Sequence, residues 1–197
     1  ALEATSIAPK ISVLSNKLGE KIASEKVTLI DDGTIENAWG STKIDDEGTP
    51  TQKNILIENG ILKSYLVDCL NAQTMNHPKT GSGRRESYQY APTSRMNNTY
   101  LEKGNDSISD MIQSISYGLY AKGMGGGCVE PSTGDFTFFV SEGYLIENGQ
   151  ITTPVKGASL IGNTKDILFQ IEMVSDDLSL DTGYCGSLSG YVPVTIG

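Results

Sequence analysis

The spacing of hydrophobic residues changes several times along the chain, and each change predicts an element. Leu14, Leu18 and Ile22 recur at i, i+4 and i+8, with Leu2, Ile7 and Ile11 more loosely placed ahead of them. Pro9 has no N–H to give a helix, so residues 1–25 are expected to form two short helical pieces. Residues 26–31 then alternate in the manner of a strand and stop at the turn signal Asp32-Gly33.

Two Asn-Gly pairs predict hairpins. Residues 54–58 lead into Asn59-Gly60 and on to 61–67. Residues 136–140 and 143–147 lead into Asn148-Gly149 and on to 150–155. Both residues of an Asn-Gly pair tolerate positive φ, which a two-residue type I′ turn requires. The string Leu-Ile-Glu-Asn-Gly occurs twice, at 56–60 and 145–149. It reads either as two good hairpins or as an internal duplication.

Helical spacing returns at residues 67–75, with Leu70 and Ala72 on the apolar side. It returns again after the capping box Ser107-Ile108-Ser109-Asp110, where Ile108, Met111, Ile112 and Ile115 mark one face expected to join the core. Residues 164–173 fit a third helix or a strand. Short helices mixed with local hairpins predict an α+β fold with a predominantly antiparallel sheet. No linker divides the chain, so residues 1–197 are read as one domain.

Composition narrows the classes. At 38% hydrophobic and 20% charged, the 197 residues are expected to fold around a core. A net charge of −9 argues against nucleic acid as a partner, because phosphate contacts need a basic face; Arg84, Arg85 and Arg95 are the only candidate patch. No run of about 18 apolar residues is present, so no membrane span is expected. No signal peptide is visible. The start at Ala1, without Met, reads as the middle of a helix and suggests a fragment or processed product. Cys69, Cys128 and Cys185 form no close pair, which points to a reducing compartment and a cytoplasmic location. The single histidine, His77, reads as a loop residue and cannot build a histidine-rich zinc site alone.

Five local patterns carry candidate chemistry. Asp45-Asp46-Glu47-Gly48 suits either a cation site or a solvated turn with a cap, although the cluster lacks the six to eight oxygens that calcium takes. The glycine-dense run Gly123–Cys128 lacks the following helix of a phosphate cradle, and fits a tight loop beside a peptide or a plain turn. Arg84 and Arg85 follow a flexible loop, where they can clamp a peptide carboxylate or an acidic partner, or pair on the surface with Glu86 or Asp45. Asn97-Asn98-Thr99 matches a glycosylation triplet, which has no meaning without export. Cys185, between Tyr184 and Gly186, is either a soft metal ligand or an inert thiol.

Several of these strings together resemble one family. The pieces are Asp45-Asp46-Glu47-Gly48-Thr49-Pro50-Thr51, Gly83-Arg84-Arg85-Glu86-Ser87, Arg95-Met96-Asn97-Asn98-Thr99-Tyr100, Gly125-Gly126-Gly127, Ser141-Glu142-Gly143-Tyr144 through Gly149, and Pro154-Val155-Lys156-Gly157-Ala158. They resemble the C-terminal domain of the TldD/PmbA family. The two arginine-bearing pieces resemble its TldD, metallopeptidase branch rather than the sister TldE (PmbA) branch.

That resemblance implies zinc-assisted hydrolysis of unfolded or extended peptides, as in peptide maturation, with a glutamate shuttling the proton. In the branch, a helical H-E-x-x-x-H supplies two ligands and the catalytic glutamate, and Ala1-Leu2-Glu3 resembles the piece that trails it. The resemblance thus places no catalytic residue in this chain, puts the glutamate upstream of Ala1, and leaves Cys185 as the one inherited metal ligand. The C-terminus also looks clipped.

The chain alone is therefore expected to be inactive and to bind zinc weakly or not at all. Gly125, Gly126, Gly127, Ser141, Glu142 and Tyr144 are expected at a strand edge that receives the peptide, with Arg84 and Arg85 assisting. The implied partners are a TldE/PmbA-like subunit or a second copy. The family's older label, modulator of DNA gyrase, implies no DNA contact. The alternative function is a non-catalytic peptide-binding or assembly module of the TldE type.

Overall fold

The computed structural model describes all of residues 1–197. In chain order its elements are α1 (Ala4–Ile7), β1 (Leu29–Asp32), β2 (Lys53–Glu58), β3 (Ile61–Leu62), α2 (Cys69–Met75), β4 (Gly83–Arg84), β5 (Thr93–Ser94) and β6 (Asn98–Leu101). There follow α3 (Ile108–Gln113), β7 (Tyr117–Val129), β8 (Asp135–Glu147), β9 (Gln150–Val155), β10 (Ser159–Asn163), α4 (Thr164–Ile167), β11 (Asp181–Ser187) and β12 (Gly190–Ile196). The fold is α+β with mainly antiparallel pairing, as the patterning predicts.

Six strands form one sheet in the order β11-β12-β6-β1-β2-β3, antiparallel except where β12 runs parallel to β6. In a second sheet β8 is central: β7 pairs along one side of it, and β9 and β10 share the other. The short pair β4-β5 stands apart. Both Asn-Gly turns adopt the predicted geometry, with φ of 49° and 81° at Asn59 and Gly60, and 53° and 74° at Asn148 and Gly149.

The main core gathers Ala4, Ile7, Leu14, Ile22, Ala23, Val27, Ile57, Leu62, Tyr65 and Val67. The Tyr65 hydroxyl stays satisfied inside it by donating to the Leu14 carbonyl at 2.7 Å.

The helical expectations need correction. Residues 1–25 contain only the single turn α1, which ends as the chain enters Pro9 and Lys10 takes φ 60°. Leu14 and Ile22 are buried, but by loops folding over β3 rather than by a helix face, and Leu18 stays exposed. The second helix is α2, capped by Asp68, whose Oδ1 accepts the Asn71 N–H at 2.8 Å. Ala72 packs against the core, whereas Leu70 points to solvent.

The capping serine of α3 behaves as expected, but no residue of α3 is buried. Six residues are too few to press a full apolar stripe inward. The third helix shrinks to α4, a single turn. Gly123–Cys128 is neither loop nor turn but part of β7, at an open edge, with Gly125 and Gly126 in an irregular stretch of the register. The second sheet leaves Tyr117, Phe139 and Ile161 more than half exposed, at 71%, 60% and 73%.

Candidate metal centre

The acidic turn commits its oxygens to backbone N–H groups. Asp45 accepts from Glu47 N and Thr49 N through Oδ1, at 3.0 and 2.8 Å, and from Gly83 N through Oδ2 at 2.9 Å. Asp46 Oδ2 accepts from Arg85 N, and Glu47 Oε2 accepts from Cys69 N at the start of α2. These carboxylates therefore latch β4 and α2 to the turn, as the capping alternative predicts. Asp45→Ala is expected to destabilise the fold by about 2 kcal/mol, because it orphans the buried Gly83 N–H. Urea unfolding measures the loss.

Cys185 lies in β11 opposite the buried Val192 of β12, and its thiol is half-buried. Burial pushes the Ala1 amino pKa down, against the fields of Glu3 and, less strongly, Cys185. Segment 1–4 is held by pairing of Glu3 with Leu66 and by the Ala4 N–H bond to the Leu66 carbonyl.

Between this segment and β11 sits Arg95, fully buried. Its Nη1 donates to Ser189 Oγ and the Gly190 carbonyl, both at 2.9 Å, its Nη2 donates to the Cys185 carbonyl, and its Nε faces Glu3 Oε1 at 3.6 Å. Glu3 also accepts the Met96 N–H. Burial pushes the Glu3 carboxyl up in pKa, against the field of Arg95.

Arg84 is buried as well and donates through Nη1 to the Met96 carbonyl at 2.6 Å. Burial lowers its pKa, while Asp31 and Asp46 act to raise it. Asp31, inside β1, accepts from Asn97 N, Asn97 Nδ2 and Thr99 Oγ1. Asn98 fastens the adjoining loop by donating to Ser41 Oγ and accepting from Gly40 N. A Cβ at Gly40 would stand 2.2 Å from the Asn97 carbonyl oxygen, so that approach requires glycine.

The expected site residues divide into two groups. Cys185, Arg84 and Arg85 belong to the region of the six-stranded sheet and β4. Gly125, Gly126 and Gly127 lie on β7 and Ser141, Glu142 and Tyr144 on β8, in the other sheet.

The expected edge at Ser141–Tyr144 is corrected, because β8 is an interior strand: Tyr144 faces Tyr120 on one side and Pro154 on the other. Glu142 Oε1 instead pairs with Lys122 Nζ and accepts the Tyr144 hydroxyl, both at 2.8 Å. The expected surface pairing of the two arginines with Glu86 or Asp45 does not form: Arg84 is buried on Met96, and Arg85 Nη1 reaches the Tyr90 carbonyl. Sequence reading passed over Glu3, Glu86, Asp31 and Arg95 as site-shaping residues. The available signal was the polar-rich run Arg95–Thr99, which leads directly into the strand-forming Tyr100 and Leu101.

The donor chemistry of the chain suits one arm of a zinc centre and no more. Cys185 is a soft donor at the rim of a polar cluster, and nowhere do three His, Cys, Asp or Glu side chains converge.

The matching family model, for the PmbA/TldA metallopeptidase C-terminal domain, covers residues 1–195. The chain is 52% identical over 188 residues to the metalloprotease TldD homolog of Buchnera aphidicola subsp. Acyrthosiphon pisum, covering 94% of this chain and 39% of that one. It is 36% identical over 179 residues to the zinc metalloprotease TldD homolog of Saccharolobus solfataricus, covering 90% and 40%. Among solved structures, TldE from Thermococcus kodakarensis superposes with a TM-score of 0.76 at 28% identity, covering 100% of this chain and 45% of that one. The chain thus spans well under half the length of the relatives it matches.

Proposed function

Because the chain belongs to the PmbA/TldD metallopeptidase family, as its C-terminal domain, we propose that it supplies one ligand, Cys185, to a zinc centre that hydrolyses unfolded or extended peptides. The observation that carries this reading is the half-buried Cys185 thiol at the rim of a polar cluster in which Arg95 bonds the Cys185 carbonyl and faces Glu3 of the N-terminal segment. Zinc in such a centre supplies Lewis-acid polarisation of the scissile carbonyl and activation of water.

The chain's own residues hold the backbone that carries the thiol, through the Arg95 bond to the Cys185 carbonyl. The remaining ligands and the glutamate that moves the proton belong, on this reading, to sequence outside residues 1–197. The catalytic competence of the whole protein is likewise part of the proposal, and the 197 residues alone are inactive. The exposed edge of β7 at Gly125–Gly127 offers backbone groups for an extended peptide, and the half-buried Arg85 is the nearer of the two arginines to solvent for a carboxylate. A TldE/PmbA-like subunit or a second copy is the proposed partner, and the three free cysteines suit a reducing cytoplasm.

The similarity in fold to TldE supports a second reading, a peptide-binding or assembly module without catalysis. One experiment separates the two. In the protein with its natural flanking sequence, Cys185→Ser is expected to reduce bound zinc and to lower cleavage of an unfolded peptide by more than about 100-fold, beyond the cost of outer-shell changes. Residues 1–197 alone are expected to show no cleavage. Unchanged zinc and activity in Cys185→Ser would refute the ligand assignment, and absence of zinc and cleavage in the parent protein would favour the assembly module.

A further inference from the structure

We infer that Glu86 and Arg95 are positioning residues for Cys185, gripping its hairpin by separate bonds and fixing the backbone that carries the thiol; this rests on the reading of Cys185 as a metal ligand. β11 is the edge strand of its sheet and pairs only with β12. β12 joins β6 only at Thr195 and Ile196, so the turn end of the hairpin, where Cys185 lies, depends on side chains that hold it from outside the ladder.

Two side chains do so. Glu86 Oε2 accepts the Tyr191 N–H at 2.6 Å, while the Glu86 N–H donates to the Ser189 carbonyl at 2.8 Å. Arg95 adds three bonds to acceptors on Cys185, Ser189 and Gly190. The turn is built to admit this grip. Gly190 has φ +82°, and a Cβ there would stand 2.4 Å from Glu86 Oε2. Ser189 is fully buried, so its hydroxyl has no water to fall back on.

The geometry explains why an arginine and a carboxylate are needed. A planar guanidinium satisfies three acceptors on three residues at once, whereas a lysine ammonium on a flexible stem does not hold that fork. Its Nη2 bond ends on the carbonyl of Cys185 itself, so the backbone that carries the thiol is fixed directly. On its remaining side Arg95 meets Glu3, which belongs to the N-terminal segment. The clamp therefore sets the separation between β11 and segment 1–4. Glu86 and Arg95 fall in two of the motifs that mark the family resemblance, yet neither lines an open cleft: Arg95 is inaccessible, and Glu86 is turned onto the hairpin.

The test uses the protein with its natural flanking sequence and the variants Glu86→Ala, Glu86→Gln and Arg95→Lys, with Cys185→Ser as control. Two quantities are read at temperatures where circular dichroism shows each variant fully folded. The first is the rate at which iodoacetamide alkylates Cys185 in metal-free protein, resolved by peptide mass spectrometry. The second is the thiolate-to-metal charge-transfer band on loading with Co(II).

Glu86→Ala and Arg95→Lys are expected to speed alkylation about tenfold, the change that follows from losing about 1.4 kcal/mol of anchoring, and to shift or weaken the Co(II) band. Glu86→Gln keeps an acceptor for the Tyr191 N–H and is expected to restore both toward the wild type. A merely structural role would lower the melting temperature and leave both readings of the folded protein unmoved. Wild-type alkylation and an unaltered band in Glu86→Ala and Arg95→Lys would overturn the proposal. If Arg95→Lys does not fold, the contrast between the two Glu86 variants decides. A Co(II) band that survives Cys185→Ser would refute the ligand reading instead, while the alkylation contrast would still report on the clamp.

Discussion

Asp31→Ala is expected to lower the free energy of unfolding by about 3–5 kcal/mol, the range for removing one partner from a buried charged network. The Asp31 side chain is fully buried and accepts from Asn97 N at 2.8 Å, Asn97 Nδ2 at 3.1 Å and Thr99 Oγ1 at 2.7 Å. Alanine leaves the buried Asn97 N–H without an acceptor, reduces Asn97 Nδ2 to its long bond with the Gly81 carbonyl at 3.5 Å, and frees the half-buried Thr99 hydroxyl; a buried donor left unpaired costs about 1–3 kcal/mol. Denaturant unfolding measures the change. A loss below about 1 kcal/mol would mean that water replaces the carboxylate.

The same carboxyl gives a pH signature. Burial pushes its pKa up, against the bonds from Thr99 and Asn97 and the field of Arg84. A raised folded-state pKa means that the folded chain binds the proton more readily than the unfolded chain. Stability from this group therefore rises as pH falls through the folded pKa, and levels off below the ordinary value of 3.8. Asp31→Asn lacks that slope. The stability of the wild type relative to Asp31→Asn is expected to improve between about pH 7 and about pH 4. Other carboxylates cancel in the comparison, including Asp68. In that residue the bonds from Asn71 and Ser94 outweigh burial and lower the pKa.

The second large effect lies in the apolar core. Leu62 is completely inaccessible and packs with Ile57, Tyr65 and Val67. Leu62→Ala is expected to cost about 3 kcal/mol, from lost transfer energy and from the cavity left behind. For a chain of this size that corresponds to a drop in melting temperature of about 6–12 °C. Position 62 also sits where the N-terminal loops bond to β3: Gly19 N–H donates to its carbonyl, and its own N–H donates to the Glu20 carbonyl. Partial collapse of those loops into the cavity would reduce the loss, and a cost near zero would show that they repack freely.

The strands were the legible part of the sequence because their signals are local. Asn59-Gly60 and Asn148-Gly149 demand positive φ whatever surrounds them, and the alternating residues on either side follow. Helices were over-read. The spacing of Leu14, Leu18 and Ile22 is genuine, but Pro9 and the pull of the β3 edge keep that stretch in turns. The spacing in α3 is equally genuine, yet a six-residue helix on a sheet rim has nothing to bury it. Gly123–Cys128 reads as a loop by composition, and becomes a strand because β8 offers a ladder on both sides of the irregular stretch at Gly125 and Gly126.

For the candidate site, Cys185 was visible as a residue while its supports were not. Arg95, Glu86 and Glu3 act through contacts across about 90 positions of sequence or more: 90 between Arg95 and Cys185, 105 between Glu86 and Tyr191, and 93 between Glu3 and Met96. No periodicity reports contacts of that range. Asp31 reads in sequence only as the last residue of a strand and Asp32 as the start of a turn, and both become interior because β2 and β6 flank β1 on both sides.

The one parallel ladder, Thr195 and Ile196 of β12 against Asn98 and Thr99 of β6, governs the order of assembly during translation. β6 leaves the ribosome nearly a hundred residues before its neighbour exists, and must wait with that flank unpaired while the whole second sheet is synthesised. The strand bearing Cys185 has no dock until β12 slots in between. A chain ending before residue 190 would therefore lack the strand that joins β11 to the first sheet, and leave the thiol with no fixed address.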